Sequence, residues 1–393
     1  MDINLTEMME VFSIPRPGHS EALERTALYI NETLTAWNIP FTAQEFMLRP
    51  FMQFSIGLTL LILAVALFIL IWRKKPTAAL IVSLIFFPLL LLEFELFIPL
   101  VSRIVTKPAE NFIITFTTPD AVRELIFAAH YDSKTDFFDH IQRAKIYKWI
   151  PHAFLLGVLL SVWLFFVKKS KKLQKGIVNA VNLVIAGVLV VYWGLVFIGF
   201  GGFIFMSHDK DSFGTIDDGA SIVTLMALAK NINDGEVDIG NSNVTIILTC
   251  GEETTLQGAD FYVKERWGKK AEPELPTSLV NLELIGQNGN LIYWPSVGVF
   301  LKFYDADPEL IERVGVAWEE VSGVPMGVDT DSITDDSHRF ASAGIPVITI
   351  GHEGKPGMGM GGFHSTADNP ERLNYENLEL AIETLGAYIE GYE

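Results

Sequence analysis

The sequence has little cysteine: Cys250 is the single one among 393 residues. One cysteine excludes a disulfide within the chain, and it excludes the paired-cysteine motifs of structural zinc sites and redox sites. The redox compartment of the protein therefore cannot be inferred from cysteine pairing.

The sequence is also poor in positive charge. It carries 29 Lys and Arg against 47 Asp and Glu, which gives a formal net charge of −18. Nucleic-acid binding needs clusters of Lys and Arg that neutralise phosphates. We therefore expect no nucleic acid among the partners, whereas the oligomeric state is not indicated by the sequence.

Apolar residues make up 50% of the chain and are concentrated in four long runs. These runs cover residues 55–72, 77–92, 150–167 and 176–206. A helix needs about 20 apolar residues to cross a bilayer, and each run is long enough when helix tilt is allowed for. We therefore predict a multi-pass protein of the cell membrane with four transmembrane helices and the lipid bilayer as a partner.

Short basic links join these runs in pairs, so that each pair is predicted to form a helical hairpin. Residues 73–76 and 168–175 together contain eight Lys or Arg and no acidic residue. The positive-inside rule places such links in the cytoplasm. The acidic remainder of the chain is then predicted to lie on the extracytoplasmic side.

Glu93 and Glu95 interrupt the apolar pattern after the second run. Carboxylates inside a membrane often mark ion paths. We expect both side chains instead to lie near the outer headgroups, because they are far along the sequence from the cytoplasmic link.

Removing the two hairpins leaves a chain of suitable length for one α/β domain. We assign residues 51–104 and 146–206 to the hairpins, and residues 1–50, 105–145 and 207–393 to this domain. Within the domain, apolar segments typical of buried strands alternate with helices, a pattern that favours a doubly wound, mainly parallel sheet. The predicted architecture is therefore an α/β domain with two inserted transmembrane hairpins.

Five polar segments of the predicted domain follow strands or open a helix. They are residues 129–133, 216–221, 250–253, 281–286 and 362–365. In open α/β sheets, ligand sites form beyond the carboxyl ends of strands, so we expect these segments to converge at one edge. Their histidines and carboxylates, without cysteine, suit zinc in a hydrolytic site.

Two arrangements within these segments point to metal chemistry. The adjacent acids Glu252 and Glu253 allow one carboxylate to bind a metal while the other handles protons. Asp132 follows His130 by two residues, on the same side of an extended strand, where a carboxylate can orient an imidazole. Each feature alone also has a structural explanation, since adjacent acids are common in turns and helix caps.

In this order, the five segments resemble the co-catalytic di-zinc aminopeptidase family, metallopeptidase family twenty-eight of clan MH. This family includes leucyl aminopeptidases, glutamate carboxypeptidase and glutaminyl cyclases. The resemblance covers essentially the whole chain outside the hairpins, and it includes residues 14–20 and 364–369 near its two ends. It implies a zinc metallopeptidase with peptide substrates and two co-catalytic zinc ions.

The resemblance also implies a role for each matching residue. The implied metal ligands are His130, Asp218, Glu253, Glu283 and His364. Asp218 would bridge the two zinc ions. Glu253 and His364 would complete one site, and His130 and Glu283 would complete the other. Glu252 would be the general base, and Asp132 would orient His130.

Three positions depart from the family pattern. Glu283 stands where many members have Asp, and Ile222 stands where glycine is frequent. Phe363 stands where several members place a tyrosine that stabilises the oxyanion. His338 is a candidate for supplying that missing hydrogen bond.

The predicted function is a membrane-anchored zinc exopeptidase of the aminopeptidase type. One alternative is a glutaminyl cyclase-like acyl transferase, which would use a single zinc. Another is a receptor or scaffold with an inactive peptidase fold, although the intact ligand set and Glu252 argue against it. A transporter is a weak alternative, because the four helices contain few polar groups.

Overall fold

The computed structural model describes residues 3–138, 140–167, 177–201, 208–268, 270–299, 301–354 and 361–391. The chain divides into two compact units. The first, called here the sheet unit, comprises Met1–Pro50, Thr106–Thr135 and His208–Glu393. The second, called here the helical unit, comprises Phe51–Val105 and Asp136–Ser207.

Strands are described in the sheet unit. They are β1 (Phe41–Leu48), β2 (Lys107–Phe116), β3 (Arg123–His130), β4 (Ser242–Thr249), β5 (Thr277–Leu282), β6 (Leu291–Tyr293), β7 (Ser296–Gly298), β8 (Phe303–Asp305), β9 (Gly327–Val328) and β10 (Val347–His352).

Helices are described in both units. They are α1 (Leu5–Phe12), α2 (Glu21–Ala36), α3 (Met52–Trp72), α4 (Pro76–Leu90), α5 (His140–Tyr147), α6 (Ile150–Val167), α7 (Ile177–Gly201), α8 (Ala220–Asp234), α9 (Gln257–Trp267), α10 (Pro308–Ser322), α11 (Ser337–Ala343) and α12 (Tyr375–Glu390).

Eight of these strands form one sheet in the order β1-β2-β4-β3-β5-β10-β6-β9. The four central strands β4, β3, β5 and β10 are parallel to one another. The pairs β1–β2, β2–β4 and β10–β6 are antiparallel. The predicted α/β fold with a mostly parallel sheet is therefore confirmed, and the antiparallel pairs lie toward its margins. Because β4, β3 and β5 run side by side in one direction, their carboxyl ends meet at one edge.

Alternate residues of the central strands enter two apolar clusters on opposite faces of the sheet. Phe127 and Leu248 belong to a cluster that also contains residues of α1, α2, α8, α10 and α12. Their neighbours Ile126 and Ile247 belong to a second cluster with residues of α9 and α11. This alternation follows from the two-residue period of a strand. Helices therefore cover both faces, and the strand ends are held by packing from either side.

Among its described residues, the helical unit contains four helices that are long and apolar enough to cross a membrane: Met52–Trp72, Pro76–Glu95, Gln142–Val167 and Val178–Gly201. This unit begins its second part at Asp136, ten residues before the predicted hairpin boundary. Within those residues α5 starts, and it contacts α7. The basic link 73–75 is exposed, whereas the basic link 168–175 lies outside the described residues.

Helices α3 and α7 pack closely because glycines on α7 face large side chains on α3. Gly187, Gly194 and Gly201 recur every seven residues and face Phe68, Leu61 and Phe54, which recur at the same interval. A Cβ added at Gly201 would lie 2.5 Å from the Phe54 ring. Small residues that let helices approach are typical of packing within membranes.

Glu93 lies in a π-helical turn, Leu91–Glu95, that follows α4. Its buried carboxylate accepts hydrogen bonds from the backbone N–H groups of Leu100 and Val101, each at 2.6 Å, and from Ser102 Oγ at 2.7 Å. These bonds hold the chain where it leaves the helix, so Glu93 has a structural role within the helical unit.

Candidate metal centre

The polar residues predicted from the sequence lie at the carboxyl ends of three neighbouring strands. His130 is the last residue of β3, Glu252 and Glu253 follow β4, and Glu283 directly follows β5. Gly251 has a φ of +86° at the point where the chain turns after β4. Glycine adopts this conformation without steric cost, which lets the two glutamates turn back over the sheet edge.

Two groups of buried side chains meet at this edge, and Asp217 belongs to both. The first metal group is His130, Asp217 and Glu283. In it, His130 Nε2 lies 3.4 Å from Asp217 Oδ1 and 3.8 Å from Glu283 Oε1. The ends of β3 and β5 and the segment before α8 therefore bring their side chains within metal-binding distance of one another.

The second metal group is Asp217, Glu253 and His364. In it, His364 Nε2 lies 3.1 Å from Asp217 Oδ2 and 3.1 Å from Glu253 Oε2. The two oxygens of Asp217 therefore face different groups, as a carboxylate that bridges two metal ions must do.

The spacing and chemistry of the two groups fit zinc. Donor atoms about 2.0–2.2 Å from a tetrahedral zinc lie about 3.3–3.6 Å from one another, which is close to the separations found here. Each group offers one imidazole and two carboxylates. Buried carboxylates in such number are costly unless cations compensate their charge. The residues present therefore suit two zinc ions.

Asp218, the predicted bridging ligand, belongs to neither group within the described part of the chain. Its carboxylate accepts hydrogen bonds from the backbone N–H groups of His130 and Leu284, each at 3.3 Å, and from Ser221 Oγ. Asp218 therefore ties together the ends of β3 and β5 and the start of α8, and its neighbour Asp217 takes the shared position. The peptide bond between the two aspartates is cis.

Asp132 supports both the imidazole and the glutamate loop. Its backbone carbonyl lies 3.0 Å from Nδ1 of His130, and its carboxylate lies 3.6 Å from the same atom. The carboxylate also accepts hydrogen bonds from the backbone N–H groups of Gly251, Glu252 and Glu253, at 2.7 to 3.2 Å. The loop that presents the two glutamates is thus fixed from the end of β3.

Glu252 lies beside the first metal group. Its Oε2 is 4.0 Å from His130 Nε2, and 11% of its side chain is exposed, against 5% for Glu253. Burial raises the pKa of Glu252 well above its ordinary value, and the nearby charges of Glu253 and Glu283 raise it further. A carboxylate with a raised pKa next to a metal position is suited to accept and return a proton.

The pKa values of the other members of the two metal groups shift in different directions. Burial raises the pKa of Glu283 to about 8. Burial opposes ionisation of Asp217 too, but hydrogen bonds from His130 and His364 outweigh it and hold its pKa well below the ordinary value. Burial disfavours a charged His130, yet Asp132, Asp217 and Glu283 raise its pKa well above the ordinary value. The two histidines therefore favour the anionic form of Asp217.

Phe363, which departs from the family pattern, and His338, the candidate oxyanion donor, both have defined surroundings. Phe363 is buried, and the Arg372 guanidinium carbon lies 4.3 Å from the centre of its ring. The ring of His338 packs edge-on against Tyr304, with ring centres 5.4 Å apart, and burial lowers the pKa of His338 to about 4. The assignment of His338 as an oxyanion donor stays a prediction.

A model of peptidase family M28 matches residues 201–389. That match covers just under half of the chain and shows that this part is similar to peptidase family M28. The family resemblance drawn from the five polar segments is therefore confirmed, and the family consists of zinc-dependent peptidases of clan MH. The matched residues include both aspartates at 217 and 218, both glutamates after β4, Glu283 and His364, whereas His130 precedes them.

Solved structures of this family's fold resemble the chain over nearly its whole length. A leucine aminopeptidase precursor from Bacteroides thetaiotaomicron is 13% identical, with a TM-score of 0.53 and coverage of 98% of this chain and 93% of that one. A Zn-dependent exopeptidase from Parabacteroides distasonis is 15% identical, with a TM-score of 0.54 and coverage of 99% and 98%. A glutaminyl cyclase from Fimbriiglobus ruber is 12% identical, with a TM-score of 0.55 and coverage of 98% and 92%. At these identities the likeness concerns the fold. No curated protein matches the chain at a significant level.

Proposed function

We propose that this protein is a membrane-anchored zinc exopeptidase of the M28 type, an aminopeptidase that holds two zinc ions. The observation that carries the proposal is the position of Asp217, whose Oδ1 faces His130 and whose Oδ2 faces His364. We assign the first zinc to His130, Asp217 and Glu283, and the second to Asp217, Glu253 and His364. Asp217 thereby replaces Asp218 as the proposed bridging ligand.

Bound zinc would supply Lewis-acid chemistry, which lowers the pKa of water and polarises a carbonyl. The residues of the chain supply the proton handling and the orientation. Glu252, at 4.0 Å from the first metal group, would take a proton at its carboxylate and give it to the amine that leaves. Asp132 keeps Glu252 in place, because its carboxylate accepts a hydrogen bond from the backbone N–H of Glu252 at 3.2 Å.

The acidic lining of the site favours an aminopeptidase over a carboxypeptidase. The free amine of a peptide carries a positive charge, whereas its terminal carboxylate carries a negative one. Ionised carboxylates beside the metal groups that metals do not neutralise would attract the amine end and repel the other.

A glutaminyl cyclase-like acyl transferase is the second candidate, because a glutaminyl cyclase shares this fold across the chain. That reading requires one zinc, whereas the peptidase proposal requires two. Zinc content of the purified full-length protein, measured together with turnover of a panel of amino-acyl substrates and of an amino-terminal glutaminyl peptide, separates the two candidates. Two zinc ions and release of amino-terminal residues are the expected results. One zinc and cyclisation without hydrolysis would favour the cyclase.

Replacement of Glu252 tests the proposed general base. Glu252→Gln removes the proton acceptor and keeps the shape of the side chain, so we expect kcat to fall by about 10²–10⁴. Zinc content is expected to stay at the wild-type value, because Glu252 is a member of neither metal group. Glu312→Gln, at an exposed position on α10, is the matched control and is expected to keep wild-type turnover. Near-normal kcat in a zinc-loaded Glu252→Gln protein would refute the assignment.

A further inference from the structure

Arg16 is a fully buried guanidinium that joins the end of β3 to the chain segment before Asp217. Its Nε donates to the carbonyl oxygen of Tyr131 at 2.9 Å, and Tyr131 directly follows His130. Its Nη2 donates to the carbonyl oxygen of Gly214 at 2.9 Å, three residues before Asp217. One planar, rigid group thus spans the two segments that carry two ligands of the first metal group.

The surroundings of Arg16 leave little freedom. Its backbone N–H donates to Ser133 Oγ at 2.8 Å, and its carbonyl oxygen accepts from the Ser133 N–H at 3.1 Å. A Cβ added at Gly214 would lie 2.5 Å from Ser133 Cβ and 3.1 Å from Arg16 Nη2. The distance between the end of β3 and the 213–214 segment is therefore fixed by packing as well as by hydrogen bonds.

Asp368 makes a corresponding connection from the other side of Asp217. Its buried carboxylate accepts hydrogen bonds from the backbone N–H groups of Ile216, at 2.8 Å, and of Asp217, at 3.3 Å. Its own N–H donates to the carbonyl oxygen of Ser365, which directly follows His364. Asp368 therefore links Asp217 to the turn that carries the histidine of the second metal group.

We propose that Arg16 and Asp368 are positioning residues with separate tasks: Arg16 sets the geometry of the first metal group, and Asp368 sets that of the second. Neither residue is a member of a metal group in the described part of the chain. Each acts on the backbone next to one histidine and on the backbone at Asp217 or within three residues of it, so each fixes one histidine relative to the shared carboxylate. This inference rests on the proposed function, since it takes both groups to bind zinc.

The test measures zinc affinity in proteins that retain one metal group at a time. In full-length protein, Glu253→Gln leaves the first group intact, and Glu283→Gln leaves the second group intact. Arg16→Lys and Asp368→Asn are each added to both backgrounds. The zinc dissociation constant is measured by competition with a chromophoric chelator, and thermal unfolding of the metal-free protein is recorded for each variant.

Loss of an outer support of a metal ligand weakens binding by about 10–100-fold. We expect Arg16→Lys to weaken zinc binding by this factor when the first group is present alone and by less than about threefold when the second is present alone. Asp368→Asn is expected to give the opposite pattern. Ser133→Ala removes one support of Arg16 and is expected to weaken only the first group, by a smaller factor, should Arg16→Lys fold poorly.

Arg266→Gln is the matched control. It removes a guanidinium that lies 2.7 Å from Glu124, near the opposite end of β3, and is expected to leave both affinities unchanged. Equal losses of affinity in the two backgrounds, or the same loss in Arg266→Gln, would overturn the proposal while the two-zinc function stands. A wild-type protein that binds only one zinc would contradict the proposed function and this inference together.

Discussion

At the scale of single residues, burial holds His352 in its neutral form. This side chain ends β10, its Nδ1 accepts a hydrogen bond from the Gly286 N–H at 3.2 Å, and its ring packs edge-on against Trp318. Burial lowers the pKa of His352 to about 3. In the unfolded chain a histidine has a pKa of about 6.5, so the unfolded state binds more protons between these two values.

Stability of the sheet unit is therefore expected to fall as the pH drops below about 6.5. For His352 alone, the loss between pH 7.5 and pH 5.5 amounts to about 1.4 kcal/mol. His352→Asn keeps an acceptor for the Gly286 N–H and does not titrate. We predict that this variant lacks that share of the pH dependence when urea unfolding of the metal-free protein is measured at both pH values. Identical pH dependence in the variant and the wild type would show that His352 does not contribute.

For Asp217 and Asp218, the sequence predicts that their segment belongs to the site, but it does not predict which of the two faces the histidines. Adjacent acids at the start of a helix, together with the acids after β4 and β5, predict which segments converge. Which aspartate faces the histidines depends on backbone angles, which are −111° and 85° for Asp217 and −132° and 34° for Asp218. Spacing along the chain contains no information on those angles. The role of Arg16 was not predicted either, because its hydrogen-bond partners Tyr131 and Gly214 are distant from it in sequence.

At the scale of elements, the close approach of α3 and α7 depends on glycines. These glycines differ in how close an added Cβ would lie to the neighbouring helix. A Cβ added at Gly57 would lie 3.1 Å from the Cα of Phe197, and one added at Gly201 would lie 2.5 Å from the Phe54 ring. A Cβ added at Gly187 would lie 3.9 Å from Phe68, an ordinary contact. The same substitution is thus expected to have opposite effects along one interface.

We predict that Gly57→Ala and Gly201→Ala destabilise the helical unit by about 1–3 kcal/mol, the usual cost of overpacking. Gly187→Ala is the matched control and is expected to be neutral or to stabilise the unit by up to about 1 kcal/mol, since alanine favours helix over glycine. Titration of the full-length protein with sodium dodecyl sulfate, followed by helical circular dichroism, measures the difference. Equal midpoints for all three variants would contradict this account of the interface.

Elements with long apolar runs are the ones that the sequence predicts. The apolar segments at 111–117, 125–129, 244–250 and 345–350 coincide with β2, β3, β4 and β10 within a few residues. The edge strand β1 was not predicted, because its exposed and buried residues form no apolar run and its partner β2 follows only after the first hairpin. Helix α8 is buried on nearly all sides, since it packs against β3, β4, α1 and α12.

At the scale of the whole molecule, charge placement supports one membrane orientation. The two basic links hold eight of the 29 Lys and Arg residues. Moving such links across an energised membrane would oppose the potential at about 2.3 kcal/mol per charge per 100 mV. We therefore propose that the links face the cytoplasm and that the sheet unit, with its metal centre, faces the extracytoplasmic side.

Thiol labelling tests this orientation, because the native Cys250 is buried. Cysteine is introduced separately at Lys75 in the first link, at Ser170 in the second link, and at Glu319, an exposed position on α10. In intact cells, a membrane-impermeant maleimide is expected to label position 319 and to leave positions 75 and 170 unlabelled. All three are expected to react after the membrane is permeabilised. Labelling of 75 and 170 without 319 would invert the orientation.

The register of β1 and β2 bears on how the chain folds during synthesis. Leu48 pairs with Lys107, so these strands form a β-hairpin in which residues 51–104, the first predicted membrane hairpin, occupy the place of the turn. Closing a flexible loop of that length would cost about 2 kcal/mol more in chain entropy than closing a four-residue turn. A helical hairpin that has already inserted into the bilayer returns the chain to its starting point, so most of that entropy is lost before the strands meet. Membrane insertion of residues 51–104 would thus precede the pairing of β1 with β2 and would accelerate it. These segments would then fold in the order in which they are synthesised.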